Sequence, residues 1–317
     1  MTKKTSIGRR EFLKLVGGTG LVIAGTSVSA DRLWAQTTSQ KLSTINPGLK
    51  YDLAAVKNGE PALMFDKAMA AIGDLNTRIK PGYKVLVKPN IGWDVTPQNA
   101  ANTNPELIGH IVKRCKEAGA ARVYVFDHTC DEEKSCWKTS GIGDAVRKNG
   151  GTILTGDNEK DYKEVPLKGA KILKTVKVHK LVVESDYFIN VPVLKSHGSG
   201  RVTISMKNLM GIVWDRRLWH REDLHYCIAE FASFYKPDLN VVDAYRVMKR
   251  HGPRGRSGKD VAAFRSLIAS DDILAADIAA TKLFGEDIKN VRYIQLATEM
   301  KVGNADLKNM NIARIKL

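Results

Sequence analysis

The chain has 317 residues and carries 50 Lys and Arg against 34 Asp and Glu, a formal net charge of +16. That length and 43% hydrophobic side chains suffice for one large domain or two small ones. The four cysteines, Cys115, Cys130, Cys136 and Cys227, include no C-x-x-C pair, which argues against a zinc or ferredoxin framework.

The start of the chain reads as an export signal. Lys3 and Lys4 precede Ser6-Ile7-Gly8-Arg9-Arg10-Glu11-Phe12-Leu13-Lys14, the pattern of a twin-arginine (Tat) signal. The apolar stretch Leu15 to Val28 is diluted by Gly17, Gly18, Gly20 and Gly25 and is too short to span a bilayer stably. Val28-Ser29-Ala30 offers small side chains for cleavage before Asp31; without cleavage the signal would be retained as an anchor. Removal of residues 1–30 leaves 45 basic and 33 acidic side chains, a net charge of +12. The protein is therefore expected outside the cytoplasm, exported already folded, with the Tat translocon as its partner during export. Such cargo often folds around a cofactor. A basic exported chain meets anionic lipids and acidic ligands readily, and no nucleic-acid motif is present.

Residues 31–50 lack periodicity and read as a linker. Asp52 to Val56 reads as a strand, Pro61 to Leu75 as a helix, and Lys84 to Lys88 as a strand ending in Pro89-Asn90. Thr103 with Glu106 three residues on predicts a capping box for a helix to Glu117. Arg122 to Asp127 reads as a strand, Gly143 to Lys148 as a helix, and Thr152 to Leu154 as a strand. Further strands are predicted at Tyr187–Val193, Leu239–Asp243, Phe264–Ala269 and Ile312–Leu317, with helices at Thr203–Gly211, Asp223–Phe234 and Asp271–Phe284. This alternation predicts an α/β fold over 51–317. It has a largely parallel sheet covered by helices on both faces, with two subdomains meeting near 155–180.

In such sheets ligands bind at the carboxyl ends of the strands. The predicted strand ends carry Lys88-Pro89-Asn90, Asp127-His128, Lys195-Ser196-His197-Gly198 with Lys207-Asn208, Asp243, and Ser270-Asp271-Asp272 with Asp277. Several of these strings also resemble a known family. Val87-Lys88-Pro89-Asn90, Asn104-Pro105, Ile189 to His197, Met206-Lys207-Asn208-Leu209-Met210-Gly211, Val242-Asp243-Ala244, Gly252-Pro253 and Ala269-Ser270-Asp271-Asp272 follow the pattern of the bacterial and archaeal DUF362 family, over roughly residues 50–285. The resemblance implies an architecture and a site but no reaction. Some members of the family carry ferredoxin-type modules; this chain lacks their cysteines, so no iron–sulfur cluster is expected in it. The family is in turn similar in fold to the nickel-pincer lactate racemases, a likeness that transfers no ligand residue by residue.

Physically, Lys88, Lys195 and Lys207 would form a positive pocket for a carboxylate or phosphate, oriented by Asn90 and Asn208. His197 is expected to be exposed and titratable. With Lys195 and Asp243 it is a candidate for acid–base catalysis, and with Asp243 and Asp271 a candidate for divalent-metal ligation. Asp271 or Asp272 could instead cap the following helix. Arg217 and His220, in the segment Trp214 to His220, are further site candidates, while Gly252 to Gly258 reads as an anion loop or a solvated turn. Cys130 and Cys136 are close enough in sequence for a local disulfide in an oxidising compartment. Two functions are open: action on a small acidic metabolite, or a non-catalytic periplasmic accessory or solute-binding role beside a redox partner protein.

The signal reading predicts that Arg9→Lys with Arg10→Lys leaves the precursor in the cytoplasm. Fractionation of cells expressing the double variant checks it, and normal periplasmic accumulation would rule the signal out.

Overall fold

In a computed structural model the chain is described over residues 51–317. The expected export signal and linker lie outside the described residues. The first half runs β1 (Leu53–Lys57), α1 (Pro61–Ile72), β2 (Lys84–Pro89), α2 (Pro105–Glu117), β3 (Arg122–Val125), α3 (Glu133–Thr139), α4 (Ile142–Lys148) and β4 (Thr152–Ile153). A hairpin of β5 (Tyr162–Pro166) and β6 (Thr175–His179) follows, then α5 (Lys180–Glu184), β7 (Tyr187–Val191), β8 (Val193–His197), β9 (Arg201–Thr203) and α6 (Ser205–Asn208). The chain continues through α7 (Arg217–Arg221), α8 (Leu224–Phe234), β10 (Leu239–Met248), β11 (Val261–Ser270), α9 (Ile273–Phe284), α10 (Arg292–Glu299) and β12 (Ile312–Lys316).

The main sheet has the order β12-β1-β11-β10-β7-β2-β3-β4, and β8 and β9 extend it beside β10. Its pairs are parallel except where β11 meets β1 and β10 and where β9 folds back on β8. Strands from both sides of 155–180 share this sheet, and that stretch holds the separate β5–β6 hairpin. Side chains alternate between two apolar layers, as the pleat requires. Ala54, Val56, Val85, Val87, Ile189, Val241 and Leu267 face the layer that contains Phe65 of α1 and Ile111 of α2. Their neighbours Leu53, Ala55, Leu86, Phe188, Val242 and Ile268 face the layer that contains Phe231 of α8, Leu274 of α9 and Ile294 of α10. The α/β fold with helices on both faces is thus present.

Several boundaries differ from the sequence reading for identifiable reasons. Pro192 has no N–H to donate, so the apolar run from Tyr187 breaks into β7 and β8; its carbonyl accepts from the Asp243 amide at 2.9 Å. The cap of α2 is Asn104, whose side chain accepts from the Glu106 amide, not Thr103. The Thr103 hydroxyl is used elsewhere: it accepts from the Asn90 amide and donates to the Val191 carbonyl, both at 2.8 Å. Asp272 caps α9 by accepting from the Ala275 amide at 2.9 Å. The predicted helix over Thr203–Gly211 is instead the end of β9, the single turn α6 and a 3-10 turn at Leu209–Ile212.

The hairpin is tied to the core by one carboxylate. Glu230 of α8 is 4% exposed and accepts from the amides of Lys171, Ile172 (3.1 Å) and Leu173 (2.8 Å) in the turn between β5 and β6. Glu230→Ala strands these donors in the interior and is expected to cost about 3 kcal/mol. A urea midpoint that falls at unchanged slope checks this, and a loss below about 1 kcal/mol would show that the carboxylate does not hold the turn.

Candidate functional site

The site grows from the carboxyl ends of β2 and β3. Lys88, at the end of β2, is fully buried, with its Nζ 2.8 Å from Asp127 Oδ1 just beyond β3. The same ammonium donates to the Pro89 carbonyl at 2.8 Å, and Asp127 Oδ2 accepts from the Ile91 amide at 2.8 Å. Burial lowers the Lys88 pKa, and the facing Asp127 opposes that shift. The pair is roofed by backbone. A Cβ on Gly211 would lie 1.9 Å from Asp127 Oδ1 and 2.8 Å from Lys88 Nζ, so only glycine fits in the Met206-to-Gly211 string. Lys88 is thus a neutralised structural cation.

Lys195 of β8 is 2% exposed. It donates to Asn90 Oδ1 at 2.9 Å and to the Ala101 carbonyl. A row of amides continues from there. Asn90 donates to Asn208 at 2.9 Å, Asn208 to Asn190 at 2.8 Å, Asn190 to Asn240 at 3.0 Å, and Asn240 to the Ser270 carbonyl at 3.5 Å. Burial pushes the Lys195 ammonium down to about 7, with Lys207 and Lys88 adding to the fall and Cys130 opposing it.

Lys207 stands on the single turn α6. That turn is held from behind by Asp277 of α9, which accepts from the amides of Ser205 (2.7 Å) and Met206 (3.1 Å). Burial pushes the Asp277 carboxyl up to about 7 against the pull of those amides. Lys207 is 7% exposed, and among the described residues its ammonium has one hydrogen-bond partner, the weak acceptor Met210 Sδ at 3.4 Å. Burial pushes it down to about 8, with Cys130 raising it and Arg216 lowering it. His197 is half-buried rather than exposed, and burial together with Lys207 and Lys195 pushes it down to about 2. Its Nδ1 accepts from the Gly200 amide at 3.2 Å. Burial and the two lysines thus favour its neutral imidazole, whereas the sequence reading expects an exposed, titratable group.

The structure brings together Lys88, Asn90, Lys195, Lys207 and Asn208, with His197 beside the lysines. Asp243 and Asp271 do not join them. Asp243 is buried with its oxygens on the amides of Asn104 (2.8 Å) and Tyr245 (3.0 Å), and burial pushes it up to about 6. Asp271 stands away from β2 across the sheet: β11 runs antiparallel, with Ser270 opposite Leu53 of β1 and Asn240 of β10, so its end lies at the amino ends of those two strands, where Asp271 pairs with Arg78 at 2.6 Å. Among the described residues no group of three or more His, Cys, Asp or Glu side chains could hold a metal ion.

Arg217 is exposed, and the guanidinium directed inward is that of Arg216, which donates to the carbonyls of His128 and Thr129. The sequence offered no means to separate these adjacent arginines, because α7 is too short to show a periodicity. His220 is exposed and feels the charges of Lys207 and Arg216. Trp219 is buried against Phe231, so it presents no aromatic surface, whereas Trp214 stacks on His128 at 5.0 Å. A cleft of about 930 Å³ adjoins the lysines across His128, Cys130 and Arg216, though no lysine of the cluster lines it. All four cysteines are free thiols, Cys130 exposed and Cys136 buried. In the Gly252–Gly258 loop, Gly252 donates to Ser196 Oγ at 3.1 Å and Arg254 pairs with Asp131 at 3.3 Å.

Removing one partner of a buried pair leaves the other charge stranded. Lys88→Met is therefore expected to cost about 3–5 kcal/mol, and Lys88→Met with Asp127→Leu to recover part of that loss. Denaturant melts of the three proteins check the coupling, and equal stability of the single variant and wild type would remove it.

A thylakoid-associated protein of Synechocystis sp. is 26% identical over 230 residues, covering 68% of this chain and 67% of that protein. Among solved structures, the lactate racemase apoprotein from Thermoanaerobacterium thermosaccharolyticum is similar with a TM-score of 0.44 at 11% identity, over 72% of this chain and 55% of that one. Residues 85–282, well over half of the sequence, match the domain of unknown function DUF362, and the chain belongs to that family.

Proposed function

We propose that the chain binds a small acidic metabolite, a carboxylate or phosphate, at the carboxyl edge of its sheet, and acts on it outside the cytoplasm after twin-arginine export. The observation that carries the reading is Lys207. An ammonium almost wholly removed from water, with a thioether sulfur as its hydrogen-bond partner, lacks the acceptors it had in solvent. The titratable groups whose fields it feels most are Cys130 and Arg216, and neither is a carboxylate. A bound anion supplies what is missing. Asn90 and Asn208 hold the neighbouring amides in place, and Lys195, near neutrality in its tendency to give up a proton, is the group suited to exchange one with a bound acid. Export rests on the arginine pair and the apolar stretch of the first thirty residues. Among the described residues no helix is long and apolar enough to cross a membrane.

An anion favours the charged form of Lys207. Its affinity is therefore full below pH 8, where the ammonium is protonated, and falls as pH rises through about 8, approaching tenfold per unit above that. A saturating carboxylate or phosphate, at about 100 times its Kd, is expected to add about 2.7 kcal/mol to stability. Lys207→Met should lose that protection. Thermal melts across a panel of anions and pH values test both, and full protection of the variant would overturn the reading.

A further inference from the structure

The balance of buried charge at this edge defines the anion more closely, and it rests on the anion site proposed above. Lys88 is neutralised by Asp127 at 2.8 Å. Arg216 is only partly buried and faces the cleft, whose walls carry Asp131, Asp157 and Asp215. Lys195 and Lys207 remain, 2% and 7% exposed. Among the described residues neither forms an ion pair, and their acceptors are the neutral Asn90 side chain, the Ala101 carbonyl and the Met210 sulfur. The titratable and charged groups that face Lys195 most strongly are Cys130, Lys207, Asp127 and Lys88; Lys207 is faced by Cys130 and Arg216, and both lysines act on His197. Asp127, the carboxylate among these groups, is committed to Lys88.

An ammonium has three donors. Two of those on Lys195 are spent on oxygen and one on Lys207 is spent on a sulfur, so both keep unspent N–H groups, and the Asn90–Asn208 hydrogen bond at 2.9 Å ties Lys195 to the turn that carries Lys207. Buried charges persist when they are paired, and a bound dianion draws Lys195 into its protonated form, so the partner that completes both ammoniums carries two negative charges. We infer that the ligand of this site is a compact dianion, a phosphate monoester or a short dicarboxylate, bridging Lys195 and Lys207, and that monocarboxylates are poor partners. A monoanion leaves one ammonium in the interior without a counter-charge.

Calorimetric titration of the purified protein with inorganic phosphate, malonate and acetate at fixed ionic strength tests this. Phosphate, malonate or both should bind at least about tenfold more tightly than acetate. Preference for phosphate identifies the phosphate monoester class, and preference for malonate the dicarboxylates. Lys195→Met should bring the affinity for the dianion down to that for acetate, which removes the wild-type selectivity. Should that variant fail to fold, the wild-type selectivity decides alone. Acetate binding as tightly as both dianions, with Lys207→Met abolishing all three, would overturn the dianion while leaving the anion site standing. No binding of any of the three would remove the site itself.

Discussion

Lys88 and Asp127 meet at 2.8 Å in a place that water does not reach, and the carboxyl edge of the sheet is arranged around that contact. Charges buried together are tolerated when geometry and hydrogen bonds support both, and here the Pro89 carbonyl and the Ile91 amide each add a hydrogen bond to the pair. The requirement spreads outward. The chain after α6 must present a residue without a side chain over the pair, which fixes Gly211 and with it the path of the turn from Lys207 to Ile212. Gly156 makes a similar approach to the Asp127 backbone, where a Cβ would sit 2.2 Å from the carbonyl oxygen. One ion pair thus constrains β2, β3 and two distant loops, and Lys207 takes its position from that packing.

Much of this is legible in the sequence. The alternating apolar runs at Val85–Val87 and Ile189–Val191 mark strands with both faces covered, and the polar residues that end them fall where a parallel sheet places ligands. Lys88, Asn90, Lys195, Lys207 and Asn208 were accordingly found together from the sequence. The direction of a strand leaves no such trace. A run such as Phe264–Ala269 has the same period whichever way it lies, so the antiparallel course of β11 was invisible and Asp271 was assigned to the wrong edge.

Burial of polar atoms was equally hidden. Nothing in the local sequence distinguishes Asp243, which accepts two backbone amides, from an acid facing a ligand. His197 is followed by Gly198 and Ser199, which suggests solvent, yet the β8–β9 hairpin half-buries it, and burial with two nearby lysines lowers its pKa. Asp277 has the opposite history. It looks like an ordinary helix residue, and its role as the support of α6 follows only from the packing of α9 behind that turn.

The asparagine row has a polarity. Its last acceptor is the Ser270 backbone carbonyl, an atom that has no proton to give. Asn240 must therefore turn its NH2 toward β11 and its oxygen toward Asn190, and each amide before it is obliged to follow, back to Asn90 and the ammonium of Lys195. No member can rotate by half a turn without setting two donors or two acceptors face to face. Aspartate, isosteric but without protons on its oxygens, cannot relay the bond onward at any of the four positions. The four side chains consequently behave as one unit, a one-way file across the sheet whose sense is dictated by a peptide group far from the lysine it steadies.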